Sequence, residues 1–484
     1  MDKLLSEYEV RLQKCAQLQR QFKSAYPANS VRTHTCKTAL DEFDQLGTEN
    51  ITLTGRIRLL RGHGRLTFAR LEDASGKIQL VFSEKDLGEA YKTITTLFDV
   101  GDIISATGTV FITKRGEQSL LVKSVIMLAK ALRPLPDKWH GLQDEELRYR
   151  ERYLDILMNP ELKELFLKKS KFWQSIRNFL LTEGFLEVET PVLEATPGGA
   201  DAQPFITHHH ALDIDLYLRI SMGELWQKRL MVAGFEKTFE IGRQFRNEGI
   251  SNEHLQDYTQ MEFYWAYANY QAGMQLVERL FKTCIKATFN TLQFNIRGFA
   301  INLDQPWQTI DYAATVQKYT NINVATATEA EMQKRCVELK IKVPAGQLNR
   351  ARLIDQLWKH CRKQITGPMF LINHPVTVSP LAKGLADRPG FVERYQIIIA
   401  GSELGNGYTE LNDPQEQAAR FMEQTKLREA GDTEAQRHDE DFVRALEYGM
   451  PPTTGFGLSE RLFSFLMDKP IRECVLFPLL RPKH

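Results

Sequence analysis

Long apolar runs are missing: no stretch of the 484 residues approaches the roughly 18 apolar residues that a membrane-crossing helix needs. The opening MDKLLSEYEV carries acids where a secretory leader would place bases ahead of an apolar core, so the expected setting is the cytosol, with no membrane partner. Cysteine is scarce. The six present, Cys15, Cys36, Cys284, Cys336, Cys361 and Cys474, form no CxxC pair, which speaks against a zinc site and a disulfide framework. They read as reduced structural thiols. An excess of either charge is absent as well, the formal net charge being +1; residues 1–130 hold 19 Lys and Arg against 15 Asp and Glu. That asymmetry permits a local nucleic-acid patch but does not argue for one. No repeat or low-complexity tract is present.

What is there is ordinary globular material, 43% apolar and 25% charged, which excludes a disordered or fibrous chain. The length implies more than one hydrophobic core. Residues 4–24 place apolar side chains at helical spacing among charges and end at AYPAN, which predicts an N-terminal helical segment over 1–46. From residue 50 the texture becomes short alternating runs, ITLTGRIRLL, RLTFARLED, GKIQLVFS, DIISATGTVFIT and SLLVKSVIMLAKAL. Five strands over 47–131 suggest a small barrel of the OB-fold kind, whose sheet face and loops bind single-stranded nucleic acid. Two prolines and a glycine in LRPLPDKWHGL mark a linker over 132–150. Residues 151–484 then mix helices with long strands, an α+β texture expected to give an antiparallel sheet flanked by helices. Residues 325–365 read as a helical insertion without candidate chemistry.

Three separated segments carry unusual charge beside strands or turns. In GFLEVETPVL (184–193) Gly184 ends a helix and Pro191 interrupts an extended run. In KTFEIGRQFRNEGI (237–250) and HLQDYTQMEFYWAYANY (254–270), Arg246, Glu248 and Glu262 would project from a strand–loop–strand unit; cross-strand ion pairs in a hairpin would give the same pattern. In PPTTGFGLSERLFSFL (451–466) a glycine-containing strand runs into an amphipathic helix headed by Ser459, Glu460 and Arg461. Gly-X-Gly alone is also a common turn.

Together, in this order, the segments resemble the three motifs of class II aminoacyl-tRNA synthetases: Pro191 closes motif 1, FRNE (245–248) sits in motif 2, and Arg461 is the motif 3 arginine. RPLPDKWHGLQDEELRYRERYLD (133–155), PGGADAQPFITHHHALDIDLYLRI (197–220) and ELGNGYTELNDPQEQ (403–417) narrow the resemblance to the lysyl enzymes, over nearly the whole chain. The resemblance implies a six-stranded antiparallel catalytic sheet, a homodimer with Pro191 at its interface, and activation of L-lysine by ATP and Mg2+ before transfer to tRNA(Lys).

It also implies roles. Arg246 would contact the α-phosphate and the substrate carboxylate, and Arg461 the γ-phosphate of a bent ATP. Glu248 would accept from the adenine amino group, with Tyr258 stacking on the base and His254 beside the nucleotide. Glu403 and the position of Gln396 would hold magnesium. Glu410 and Tyr264 match the positions that bind the lysine ε-ammonium, and Glu224, Asn406 and Tyr408 match other pocket positions. An acid at 410 would repel the acidic substrate of an aspartyl enzyme. In the barrel, Phe68, Gln79 and Arg61 match positions that engage the anticodon, although a strand phenylalanine is ordinarily a core residue. The triple His208-His209-His210 reads as structural, because neighbouring strand residues face opposite ways.

Three departures border the triphosphate. Gln396 replaces a family glutamate, Glu253-His254 replaces an Arg-His pair, and GFGLSER (455–461) shortens motif 3. Two other readings compete. A ligase of the same fold that attaches lysine to a protein would lack the barrel, and a non-catalytic paralogue would not be expected to keep Arg246, Glu248, Glu403, Glu410 and Arg461.

Overall fold

The computed structural model describes residues 5–22, 24–136, 142–247, 249, 251, 253–343, 349–430 and 435–482. It divides into two compact units, Met1–Met158 and Asn159–His484.

In the first unit a helix, Glu7–Phe22, precedes five strands: β1 (Ile51–His63), β2 (Leu66–Glu72), β3 (Lys77–Ser83), β4 (Ile103–Ile112) and β5 (Gln118–Ala129). They close into a barrel in the order β1-β2-β3-β5-β4, an OB-fold, which leaves no free sheet edge. Alternate residues point inward, so Leu53, Leu71, Leu80, Ala106 and Val122 fill the interior while their neighbours face out. Gly108 takes part in an irregularity of the β4–β5 ladder, where a Cβ would lie 2.0 Å from the Leu121 carbonyl oxygen. The strands follow the alternating runs. A helix at Glu89–Leu97 between β3 and β4 adds to them, burying Tyr91, Ile94 and Leu97 at helical spacing.

The second unit holds β6 (Leu186–Glu187), β7 (Leu193–Glu194), β8 (Ile206–His209), β9 (Ile214–Leu218), β10 (Lys237–Phe245), β11 (Asp257–Ala266), β12 (Gln293–Ile296), β13 (Phe299–Asn302), β14 (Gln308–Asp311), β15 (Met369–Pro375), β16 (Phe391–Ile399), β17 (Ser402–Thr409) and β18 (Thr453–Ser459). The main sheet has eight strands in the order β14-β15-β16-β17-β18-β11-β10-β6, not six. Six antiparallel strands, β15 to β10, form its centre, and the short β14 and β6 add one parallel pairing at each edge. Those two strands are only four and two residues long, too short to show as alternating patterns.

One face of this sheet is a hydrophobic core. Phe239, Met261, Phe263, Tyr395, Ile397, Phe456 and Leu458 pack with side chains of the helices Pro160–Thr182 and Tyr270–Phe289. Gly273 lets the second helix approach closely, since a Cβ there would lie 2.9 Å from both Tyr395 Oη and Thr454 Oγ1. Along each strand the residues between these core positions turn to the other face, where the sheet floors a cavity.

The insertion is helical, with Glu329–Glu338 and Arg350–Arg362 joining the preceding helix Tyr312–Thr320 around Val316, Met332, Leu353, Leu357 and Trp358. It does reach the candidate chemistry, contrary to the sequence reading: Trp358 Nε1 donates to Glu403 Oε1 at 2.6 Å, and Arg362 Nε lies 3.7 Å from the same oxygen. All six cysteines are buried free thiols. Among the described residues no helix is long and apolar enough to cross a membrane.

Candidate active site

Strand parity assembles the cavity. On β11, Tyr258, Gln260, Glu262 and Tyr264 are spaced by two and share the cavity face, while Met261 and Phe263 between them enter the core. On the neighbouring β18 the corresponding positions are Gly455 and Gly457, paired with Tyr264 and Glu262. A Cβ at 455 would meet Glu410 Oε1 at 2.3 Å and Tyr264 Cε1 at 2.6 Å, so the missing side chain lets those two groups converge. In this structure the motif 3 glycines thus form floor, not a turn.

β17 breaks the parity once. Asn406 and Tyr408, with Glu410 just beyond, face the cavity at intervals of two, yet Glu403 also faces it, three residues from Asn406. Opposite them Gln396 pairs Asn406 and Ile398 pairs Glu403, so β17 carries one extra residue. This bulge turns Leu404 and Gly405 toward the core together, Gly405 against the Phe456 ring.

The cavity encloses about 560 Å3. It gathers Glu224, Arg246, His254, Tyr258, Tyr264, Gln396, Glu403, Asn406, Tyr408, Glu410 and Arg461, residues spread over more than 230 positions of chain. Pro191 is not among them. It lies exposed in the turn before β7, near exposed Leu186, Val192 and Leu193. Glu248 lies outside the described residues. In the first unit, Arg61 pairs directly with Phe68 across β1 and β2, and Arg70 with Gln79 across β2 and β3. The four share the outward face: Phe68 is half-buried, not core, and Gln79 donates to Ser119 Oγ at 2.9 Å.

One region of the cavity is acidic and closed. Glu224, Glu262 and Glu410 are 5%, 5% and 1% exposed, alongside Tyr264 and Tyr408. Tyr264 Oη donates to Glu262 Oε2 at 3.0 Å, and Tyr408 Oη donates to Glu224. Burial and the neighbouring Glu224 push the Glu262 carboxyl up to about 7. Burial also raises Glu410, against the opposing pull of Lys228. Lys228 Nζ lies 2.7 Å from Glu224 Oε1 and 2.5 Å from Glu410 Oε2. Glu262 also sits directly across from Glu240, a like-charge pairing that costs stability; Arg219, 2.5 Å from Glu240, neutralises it.

A second region is rich in arginine. Arg246 follows the last residue of β10, donates from Nε to the Ile220 carbonyl at 3.3 Å, and holds its guanidinium 5.8 Å from the Tyr258 ring centre. Arg461 opens the helix after β18 and is ion-paired to Glu253, which also takes Arg297 at 2.8 Å. Burial alone would raise the Glu253 carboxyl, but Arg461 and Arg297 hold it below its ordinary range.

On β16, Gln396 Oε1 lies 3.1 Å from His374 Nε2, and His374 Nδ1 lies 3.3 Å from the Arg394 carbonyl. Burial and Arg394 hold His374 well below its usual pKa, hence neutral, so it donates through one nitrogen only. It donates either from Nδ1 to the Arg394 carbonyl or from Nε2 to Gln396 Oε1, the shorter of the two contacts. For a magnesium ion the carboxylate here is Glu403, a quarter exposed, with the side chains of Gln396 and Asn406 beside it. One carboxylate with phosphate oxygens and water fits a magnesium ion brought in on a nucleotide. Among the described residues no group of three or more His, Cys, Asp and Glu is placed to hold an ion, the histidine triple included.

Sequence reasoning had not assigned roles to Glu262, Lys228, Trp358 or Arg394. The first was legible from its period-two spacing with Tyr264, and the second from its four-residue spacing with Glu224 in one helix. The other two depend on packing between distant segments.

A largely antiparallel sheet flanked by helices, flooring a cavity with acids in one part and arginines in another, is the architecture of the class II aminoacyl-tRNA synthetases. Residues 144–481 match the family described as tRNA synthetases class II (D, K and N), and residues 51–128 match the OB-fold nucleic acid binding domain. The chain is 44% identical to a lysine–tRNA ligase of Carboxydothermus hydrogenoformans, covering 98% of both chains, and 42% identical to one of Moorella thermoacetica with the same coverage. A lysine–tRNA ligase of Thermotoga maritima is 41% identical over 99% of this chain and 97% of its own. The chain belongs to the lysine–tRNA ligase family.

Proposed function

We propose that this chain condenses L-lysine with ATP and transfers the lysyl group to tRNA(Lys), with the residues of the cavity in the following roles. The observation that carries the reading is the closed group of three carboxyls, Glu224, Glu262 and Glu410, beside Tyr264 and Tyr408. Buried acids are costly unless a cation joins them, and an amino acid with a cationic side chain supplies one.

The lysine carboxylate attacks the α-phosphorus of ATP, the bond to the bridging oxygen breaks, and pyrophosphate leaves. A terminal ribose hydroxyl of the tRNA then attacks the adenylate carbonyl and AMP departs. Neither step needs a side-chain nucleophile, so the protein contributes positioning and fixed charge. Arg246 holds the lysine carboxylate against the α-phosphate, Arg461 takes the γ-phosphate, Tyr258 stacks on the adenine, and His254 and Glu248 border the nucleotide. Glu410 and Tyr264 receive the ε-ammonium, with Glu224, Asn406 and Tyr408 completing the pocket. Magnesium, bound through Glu403 with weaker help from the position of Gln396, would neutralise charge on the phosphates.

In the first unit, read as an anticodon-binding domain over 47–131, the outward face carrying Arg61, Phe68 and Gln79 offers a stacking ring, a cation and an amide for an unpaired base. A homodimer through the Pro191 segment accords with the large aliphatic side chains exposed in the same part of the sequence, 186–214, including Leu186, Val192, Leu193, Ile206, Leu212 and Ile214. The deciding experiment is ATP–pyrophosphate exchange with lysine, aspartate and asparagine. Exchange is expected with lysine, and stronger exchange with aspartate would overturn the assignment.

A further inference from the structure

The reaction gives no task to Lys228, yet its ammonium lies at the centre of the pocket's acids. The helix Glu224–Val232 places Glu224 and Lys228 four residues apart, hence on one face. Lys228 is fully buried and does not line the cavity; it sits behind the carboxyls that do. Glu224 faces it from its own helix, at 2.7 Å, and Glu410 from the end of β17, at 2.5 Å. The Tyr408 ring of β17 stands 5.5 Å away, and the Phe442 ring, on the helix Glu440–Glu447, 5.8 Å away. Glu262 and Tyr264 of β11 adjoin the same acids. The nearby Arg229 is turned to Asp439 at 3.0 Å, and Arg394 to Asn406 at 2.8 Å, so neither serves the cluster.

Without this ammonium, Glu224, Glu262 and Glu410 would be three carboxyls in one dry cluster. Repulsion and burial would then favour protonation, and a protonated carboxyl is no counter-charge for a substrate ammonium. Burial would lower the Lys228 pKa, but Glu224 and Glu410 reverse that and raise it, so the amine stays charged. Its contact with Glu410 is an ion pair without hydrogen-bond alignment, and Glu410 Oε1 is directed away, beside Gly455 and Tyr264 on the cavity floor.

We propose that Lys228 is a resident counter-ion, a positioning residue that orients Glu224 and Glu410 and offsets the charge of the acid cluster so that the pocket accepts one further ammonium, that of the substrate side chain. This rests on lysine being the substrate.

The test compares the full-length parent with Lys228→Met, Lys228→Arg and Lys228→Ala, measuring the KM for lysine in pyrophosphate exchange from pH 6.5 to 9, with the KM for ATP as internal control. Lys228→Met is expected to raise the lysine KM about tenfold or more at pH 7. The gap to the parent should narrow toward pH 9, as the carboxyls ionise unaided, while the ATP KM stays put. Lys228→Arg should fall between the two. Ethylammonium should lower the lysine KM of Lys228→Ala by refilling the vacated site, and should not do so for the parent. A gap that is the same at every pH, with no response to ethylammonium, would mean that Lys228 only packs, and the inference falls. An unchanged lysine KM at pH 7 overturns it as well. If circular dichroism shows Lys228→Met unfolded, Lys228→Arg and the amine response of Lys228→Ala decide. A parent that shows no lysine-dependent exchange fails the proposed function before any variant is made, and this inference with it.

Discussion

Glu253 is ion-paired to Arg461, the arginine expected to hold the γ-phosphate, and its second oxygen takes Arg297. A carboxylate thus occupies an anion position that the triphosphate, in the proposed site, would have to share. Removing it should free the arginine. Glu253→Gln is expected to lower the KM for ATP by up to about fivefold, the worth of a partly exposed ion pair at ~0–1 kcal/mol, and to leave the KM for lysine unchanged. A raised ATP KM would mean instead that Glu253 positions Arg461 productively.

Arg246 and Arg461 should be separable from folding. In the proposed roles each would supply a fixed charge to the reacting phosphates, an effect of about 2.7–4 kcal/mol by analogy with an oxyanion-hole donor. Arg246→Ala and Arg461→Ala are therefore expected to slow exchange about a hundredfold to a thousandfold while circular dichroism stays parental. Parental exchange rates in folded variants would remove both from the chemistry.

Glu262 links substrate recognition to a stability cost with a definite pH dependence. Its carboxyl titrates near 7 in the folded chain against an ordinary 4.5, so the native state binds the extra proton between those values. Stability contributed by that proton is present at low pH and is lost as pH rises toward about 7. In Glu262→Gln the amide oxygen can still accept from Met222 N and Gln260 Nε2, and its NH2 can donate to Tyr264 Oη, so the hydrogen-bond set survives without the charge. The variant should melt higher than the parent at pH 8 and alike at pH 5, yet show a raised lysine KM. Equal melting temperatures at both pH values would contradict the assigned titration.

Phe68→Ala and Gln79→Ala should act on the tRNA step alone. Loss of a stacked base costs about 1–3 kcal/mol of nucleic-acid binding, so the KM for tRNA in aminoacylation is expected to rise about fivefold or more. Exchange without tRNA should not change. A matching loss in exchange would show that the substitutions act through folding.

At position 396 an amide stands where a second carboxylate would draw magnesium. Gln396→Glu is expected to lower the magnesium concentration needed for half-maximal exchange, with the parent active at higher magnesium. A parent inactive at every magnesium concentration and rescued by the glutamate would identify a lapsed synthetase.

The barrel was readable from five alternating runs with glycine turns, because period-two patterning and turn chemistry are local. The large sheet was only partly so. β14 and β6 are too short to produce a pattern, and the parallel pairing at each edge is a matter of tertiary contact. In the site, Arg246, Glu410 and Arg461 stood out through motif context, whereas nothing near Trp358 signals that its indole reaches Glu403, 45 residues away. The pairing of Glu253 with Arg461, 208 residues apart, was equally invisible, although the oddity of an acid at 253 was plain. Long-range electrostatic partners are set by the fold, and local spacing does not encode them.

The extra residue in β17 has a consequence for how this strand tolerates change in length. Because Leu404 and Gly405 both turn inward, Glu403 and Asn406 lie on the same side although two residues, not one, stand between them. Deleting Gly405 would restore perfect alternation with Glu403 still on the cavity side beside Asn406, Tyr408 and Glu410, but would straighten the strand and draw Glu403 one residue, about 3.3 Å, closer to Asn406. A one-residue deletion here would thus keep the carboxylate of Glu403 and the ammonium pocket on one face but change the spacing between them: an indel that looks like loop trimming would shift the proposed nucleotide contact relative to amino-acid recognition within a single strand.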